Sequence, residues 1–173
     1  RYVISDGIDR STPKALSNGV ALRGDRLYMV STNAFITWQG AEQKAQQLGG
    51  HLLSISSSNE QSFVEEFLKT NIGPTGGGSY WMGFSDSQQE GQWIWSDGSP
   101  VTYLRWWIGE PNDQSWADNG LGSDYGVLTE DWGLIGQPYP RRYWQDQNSW
   151  GMYAVIETPV IRRGDSAYVI VDG

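Results

Sequence analysis

The sequence contains no cysteine, and that absence removes disulfide staples, thiolate zinc sites and cysteine nucleophiles together. Histidine is nearly as scarce. His51 is the single one, so neither a histidine-built zinc site nor a Ser-His-Asp triad has more than one position to draw on. It stands in Gly49-Gly50-His51-Leu52-Leu53-Ser54-Ile55, at the start of an apolar run, where a structural or surface role is expected. Basic residues are outnumbered: 12 Lys and Arg against 20 Asp and Glu leave a formal charge of −8. Nucleic-acid binding needs a basic footprint and is not expected. No apolar run approaches the roughly 20 residues of a membrane helix, and the mean hydropathy of −0.51 also argues against membrane insertion. The chain begins at Arg1 with no signal-peptide pattern, which reads as a mature fragment or a module of a larger surface protein.

What is present is tryptophan, acid and turn-forming residues on a chain of one-domain length, 173 residues with 10 Trp and 22 Gly. Residues 1–173 are read as a single domain with its core at about 27–157 and strand extensions at 1–26 and 158–173. Thr37 reads as a helix N-cap, and Trp38, Ala41, Ala45 and Leu48 recur at helical spacing until Gly49-Gly50 ends the pattern. A second helix is expected over 58–69, with Ser58 and Gln61 as a capping box and Phe63, Val64, Phe67 and Leu68 as its buried stripe. Strand signals fall at 2–4, 20–22, 27–30, 52–55, 80–84, 92–95, 127–129, 152–157 and 167–171. The stretches 109–123 and 130–143 have no periodicity, and irregular runs of such length inside a domain are usually functional or disordered. The whole is an α+β pattern with two helices and mostly antiparallel strands. Arg-Gly-Asp occurs twice, at 23–25 and 163–165, each time as a turn leading into a strand.

The chemistry concentrates in Trp107-Ile108-Gly109-Glu110-Pro111-Asn112-Asp113 and in Trp144-Gln145-Asp146. Both are expected to be loops. They offer carboxylates and amides and no nitrogen or sulfur ligand, a donor set for a hard cation such as Ca²⁺, which takes roughly 6–8 oxygens. If the two meet, vicinal hydroxyls of a sugar could complete the open rim. Trp116, in the polar loop, could stack an exposed ring on that sugar. Most of the other tryptophans, including Trp38, Trp81, Trp93 and Trp95, are expected in the core. Glycoside hydrolysis needs two carboxylates across a cleft; pairs are plentiful here, but no catalytic motif accompanies them, and enzyme activity is not expected.

From Tyr28 to Glu157 the pattern resembles the C-type lectin-like domain family. Four stretches carry the resemblance: 38–52, with Trp38-Gln39-Gly40-Ala41-Glu42 and Leu48-Gly49-Gly50-His51-Leu52; Tyr80-Trp81-Met82-Gly83-Phe84-Ser85-Asp86; 90–98 with 106–112; and Trp144-Gln145-Asp146 with Ala154-Val155-Ile156-Glu157. The resemblance implies a C-type lectin-like fold with a long calcium-binding loop region. It implies Glu110 and Asn112 as ligands of a principal Ca²⁺, with a cis bond before Pro111, and Asp146 as a further ligand. Gln145 stands where the family has Asn. Ser123 stands where it has Glu, so Asp124 or Asp118 would substitute. Asp86, Glu90, Asp113 and Asp124 match acidic positions of an auxiliary calcium site. Four converging carboxylates repel by about 4 kcal/mol per pair at ~4 Å without a cation. The family's cysteine positions hold Ala45, Ile156, Tyr125 and roughly Ser149.

The resemblance further implies an extracellular carbohydrate-binding module for cell-surface glycans of the fucose, mannose or glucose type. Glu110, Asn112, Asp146, Gln145 and Trp116 are the expected sugar contacts. The cysteine-free version suggests a bacterial adhesin module. The alternative is the same fold binding a protein, a peptide or ice.

Overall fold

The computed structural model describes residues 2–4, 14–17, 19–31, 36–72, 78–114, 122–129, 143–148, 151–163 and 166–169. Among the described residues two helices form, α1 at Trp38–Gln47 and α2 at Ser58–Ile72. The strands are β1 Tyr2–Ile4, β2 Lys14–Ser17, β3 Val20–Arg23, β4 Arg26–Val30, β5 His51–Leu52, β6 Tyr80–Ser85, β7 Ile94–Trp95, β8 Tyr125–Thr129, β9 Tyr143–Gln147, β10 Tyr153–Pro159, β11 Ile161–Arg163 and β12 Ser166–Val169. The main sheet runs β2-β3-β4-β10-β6-β8-β9, with β5 on β10 and β7 on β6. Among the described strands only β10 and β6 pair in parallel; Trp106 and Trp144 add an isolated parallel bridge. This is the α+β arrangement expected from the sequence.

Local chemistry explains the helix ends. Thr37 accepts the Gly40 N–H through its side chain, as expected of an N-cap. The C-terminus closes with Gly50 N donating to Ala45 O at 3.0 Å, and Gly49 takes the left-handed conformation, φ 77°, that glycine tolerates best. The cap of α2 differs from expectation. It is Ser57, whose Oγ accepts Glu60 N and whose carbonyl accepts Gln61 N, so the helix is capped one residue earlier than the Ser58-Gln61 pattern suggests.

β6 carries the core. All six of its residues are buried, and strand alternation sends Trp81 to one side and Tyr80, Met82 and Phe84 to the other. On the α1 side Trp81 packs with Leu27, Ala41, Ala45, Leu52, Val127 and Ile156. On the α2 side lie Tyr28, Leu53, Ile55, Val64, Phe67, Leu68, Trp95 and Trp144. Ala45 and Ile156, at cysteine positions of the family, are simply buried hydrocarbon here. Tyr125, at a third, stacks on Trp38 with ring centroids 4.9 Å apart. Trp81 and Trp95 are fully buried, whereas Trp38 and Trp93 are half-buried against the core.

Several expected elements are corrected. Leu53 and Ile55 are buried but lie beyond β5; only His51 and Leu52 enter the ladder. Gln92 N bonds Gln89 O in a turn, so β7 begins at Ile94. Trp144-Gln145-Asp146 lies on strand β9 and not on a loop. Strands β2 and β11 were not expected. The ends of the described chain do pair, Tyr2 with Val169 and Ile4 with Ala167. His51 has a structural partner, its Nδ1 lying 2.7 Å from Glu42 Oε1. Arg23 of the first Arg-Gly-Asp pairs with Glu60 at 3.3 Å; Gly164 and Asp165 of the second lie outside the described residues.

Candidate metal centre

β9 alternates half-buried and buried positions, so Trp144 and Asp146 share its inner face. Trp144 is anchored among Phe84, Trp95, Tyr103 and Trp106, and its Nε1 donates to Gln61 Oε1 at 2.9 Å. Its backbone bonds Arg105 O and Trp107 N, which lays residues 105–107 alongside the strand. A turn follows, closed by Glu110 N donating to Trp107 O at 3.0 Å. The Glu110–Pro111 bond is cis, as the resemblance implies. Asn112 N and Asp113 N then both donate to Asp146 Oδ2, at 3.1 and 2.6 Å. The two stretches singled out in the sequence therefore meet through one carboxylate.

Asn112 Nδ2 donates to Glu110 Oε1 at 2.9 Å, while its Oδ1 accepts Gln114 N at 2.8 Å. Glu110 Oε2 and Asp146 Oδ1 are both buried, and neither has a hydrogen-bond partner among the described residues. Burial first, and then the Asp146 carboxyl beside it, pushes the Glu110 carboxyl up to about 8. A cation beside the two carboxylates would offset their burial and their mutual repulsion. The donor set is oxygen alone, which fits Ca²⁺.

A second group lies at the end of β6. One carboxylate oxygen each of Asp86, Glu90 and Asp124 lie within 4.8 Å of one another. Gly91 N donates to Asp86 Oδ2 at 2.9 Å, and Asp86 Oδ1 is buried without a partner among the described residues. Burial raises the Asp86 carboxyl, and Asp124 adds to it. Asp124 is raised by burial and by Asp113, and exposed Glu90 chiefly by Asp86. Asp113 joins the two groups. Its N–H holds Asp146, its Oδ1 accepts Ser123 N at 2.8 Å, and its backbone sits at a left-handed φ of 55°.

The remaining candidates divide. Ser123 is buried, with its Oγ unpartnered among the described residues. Asp124 joins Asp86 and Glu90. Gln145 is half-buried on the face of β9 opposite Asp146 and makes none of these bonds. Asp118 and Trp116 lie outside the described residues. Sequence reasoning missed the backbone donors of Asn112 and Asp113, which carry no side-chain signal.

The chain belongs to the C-type lectin domain family, whose model matches residues 35–132. A type-2 ice-structuring protein of Hemitripterus americanus is 39% identical over 90 residues, covering 52% of this chain and 50% of that protein. A perlucin-like protein of Mytilus galloprovincialis is 37% identical over 84 residues, covering 48% and 53%. The chain thus spans about half the length of these curated relatives. Among solved structures, a calcium-independent type II antifreeze protein superposes with TM-score 0.64 at 26% identity, over 85% of this chain and 96% of that one. No helix among the described residues is long and apolar enough to cross a membrane.

Proposed function

We propose that this chain is an extracellular, calcium-dependent carbohydrate-binding module, and not an enzyme, for glycans of the fucose, mannose or glucose type. The carrying observation is that Glu110 and Asp146 are neighbouring carboxylates, each keeping one buried oxygen with no donor among the described residues. Glu110, Asn112 and Asp146 would hold the principal ion; Asp86, Glu90, Asp124 and Asp113 would hold an auxiliary one. A bound Ca²⁺ supplies an electrophilic point whose shell neutral hydroxyl oxygens can complete. Beside it the Glu110 carboxylate accepts and the Asn112 amide donates, so each of two vicinal hydroxyls can serve in both roles. Titration with L-fucose, D-mannose and galactose in calcium and in chelator tests this. Failure to bind any of them, or equal binding in chelator, sinks it.

A second reading keeps the fold and removes the sugar: recognition of a protein, peptide or ice surface. It is favoured by Ser123 in place of a carboxylate, by Gln145 on the outer face of β9 and by the likeness to a calcium-independent antifreeze protein. Freezing-point hysteresis that survives chelator would decide for ice. Membership of a cysteine-free bacterial surface adhesin rests on composition alone; the relatives reported above are animal proteins and lend it no support.

A further inference from the structure

Ile108 is 95% exposed, while the other exposed large apolar side chains among the described residues reach only 38–54%. Looseness does not explain it. Trp107 N is bonded to Trp144 O, the Trp107 ring packs edge-on against Tyr143 with centroids 4.9 Å apart, and Glu110 N closes the turn onto Trp107 O. Gly109, at φ 92°, supplies the left-handed backbone the turn requires. A fully hydrated isoleucine contributes almost nothing to folding, yet this one is mounted on a fixed turn two residues before Glu110. Glu110 and Asn112 present only polar groups, and Ile108 adds an apolar one within the same turn that Glu110 N closes. A ligand matching both has a pair of vicinal hydroxyls and an alkyl group.

We propose that Ile108 is a specificity-determining contact of this site, selecting sugars that carry a methyl group at C6, the 6-deoxyhexoses, over their hydroxymethyl counterparts. The inference rests on the calcium-dependent glycan reading above. One methyl group removed from water corresponds to about a fourfold change in affinity.

The test compares sugars differing only at C6: L-fucose against L-galactose, and D-rhamnose against D-mannose. Each is titrated in calcium and in chelator against the native chain, Ile108→Ser and Ile108→Val. The native chain should favour the 6-deoxy member of at least one pair about fourfold. Ile108→Ser should bring that ratio close to unity, and Ile108→Val should retain most of it. The ratio is independent of the fraction of folded protein in each sample. A native ratio near unity in both pairs, or one that survives Ile108→Ser, overturns the inference and leaves calcium-dependent binding of the sugars intact. If no sugar binds, or chelator changes nothing, the glycan reading itself fails and the inference falls with it.

Discussion

Glu42 on α1 and Glu60 on α2 are buried, as Asp86 and Asp146 of the candidate metal centre are, but their surroundings are opposite. Glu42 Oε1 takes Gln46 Nε2 and His51 Nδ1, and its Oε2 takes Leu52 N and Ser96 Oγ. Glu60 Oε1 takes Tyr28 OH and Arg23, and its Oε2 takes Ser56 N and Ser56 Oγ. Each of these oxygens has two partners. Glu110, Asp146 and Asp86 each keep one buried oxygen with none among the described residues. Acids that hold a fold together are saturated by the chain itself. The three candidate metal ligands are each left short at one oxygen.

The largest expected effect lies on the saturated side. Glu60→Ala strips buried partners from Tyr28, Arg23 and Ser56 and should cost about 3 kcal/mol or more in urea unfolding, equally with and without calcium. A loss below ~0.5 kcal/mol, the scale of an ordinary surface substitution, would break the comparison. Asp146→Asn should behave oppositely. In chelator its stability should match the native chain within about 0.5 kcal/mol, because an amide oxygen still accepts the Asn112 and Asp113 N–H groups. What it should lose is the calcium-dependent increment, about 2.7 kcal/mol at a hundredfold excess over Kd. Asp86→Asn should remove one calcium per chain in calorimetric titration while Glu110, Asn112 and Asp146 still bind; unchanged stoichiometry would limit metal binding to the principal centre.

The smallest effect is a slope. Burial raises the Glu157 carboxyl from 4.5 to about 7, against the opposing pull of Arg26. The folded chain therefore holds that proton more tightly than the unfolded one. The resulting stability is fully present below pH 4.5 and is lost as pH rises toward 7. Glu157→Gln should flatten the fall in melting temperature across that window, and parallel native and mutant curves would contradict it.

Which parts were legible in the sequence follows from what side chains encode. Thr37, Gly49 and the stripe of α2 show in spacing because helix periodicity and capping are local. The meeting of Glu110 with Asp146 was legible only as a resemblance. The connection itself runs through backbone N–H groups, and every residue type but proline has one. Polar Gln145 and Asp146 point to a loop in the sequence; the buried Trp144 and the pairing with β8 make the segment strand β9. Ser57 displaced Ser58 as cap because adjacent serines are equivalent until Glu60 N selects one.

Placing Asp146 two residues after Trp144 on one strand has a consequence for the entropy of binding. Fixing a residue costs roughly 1–2 kcal/mol of backbone freedom. For Asp146, carried on the strand that buried Trp144 anchors, that ordering belongs to folding and not to the binding of an ion. What is left for an ion to order is the short arm from Glu110 to Asp113, already tied to Asp146 by two N–H groups. Affinity here should therefore respond to changes deep in the core: loosening the packing around Trp144 would shift the ordering cost of Asp146 from folding to binding, without altering one ligand atom.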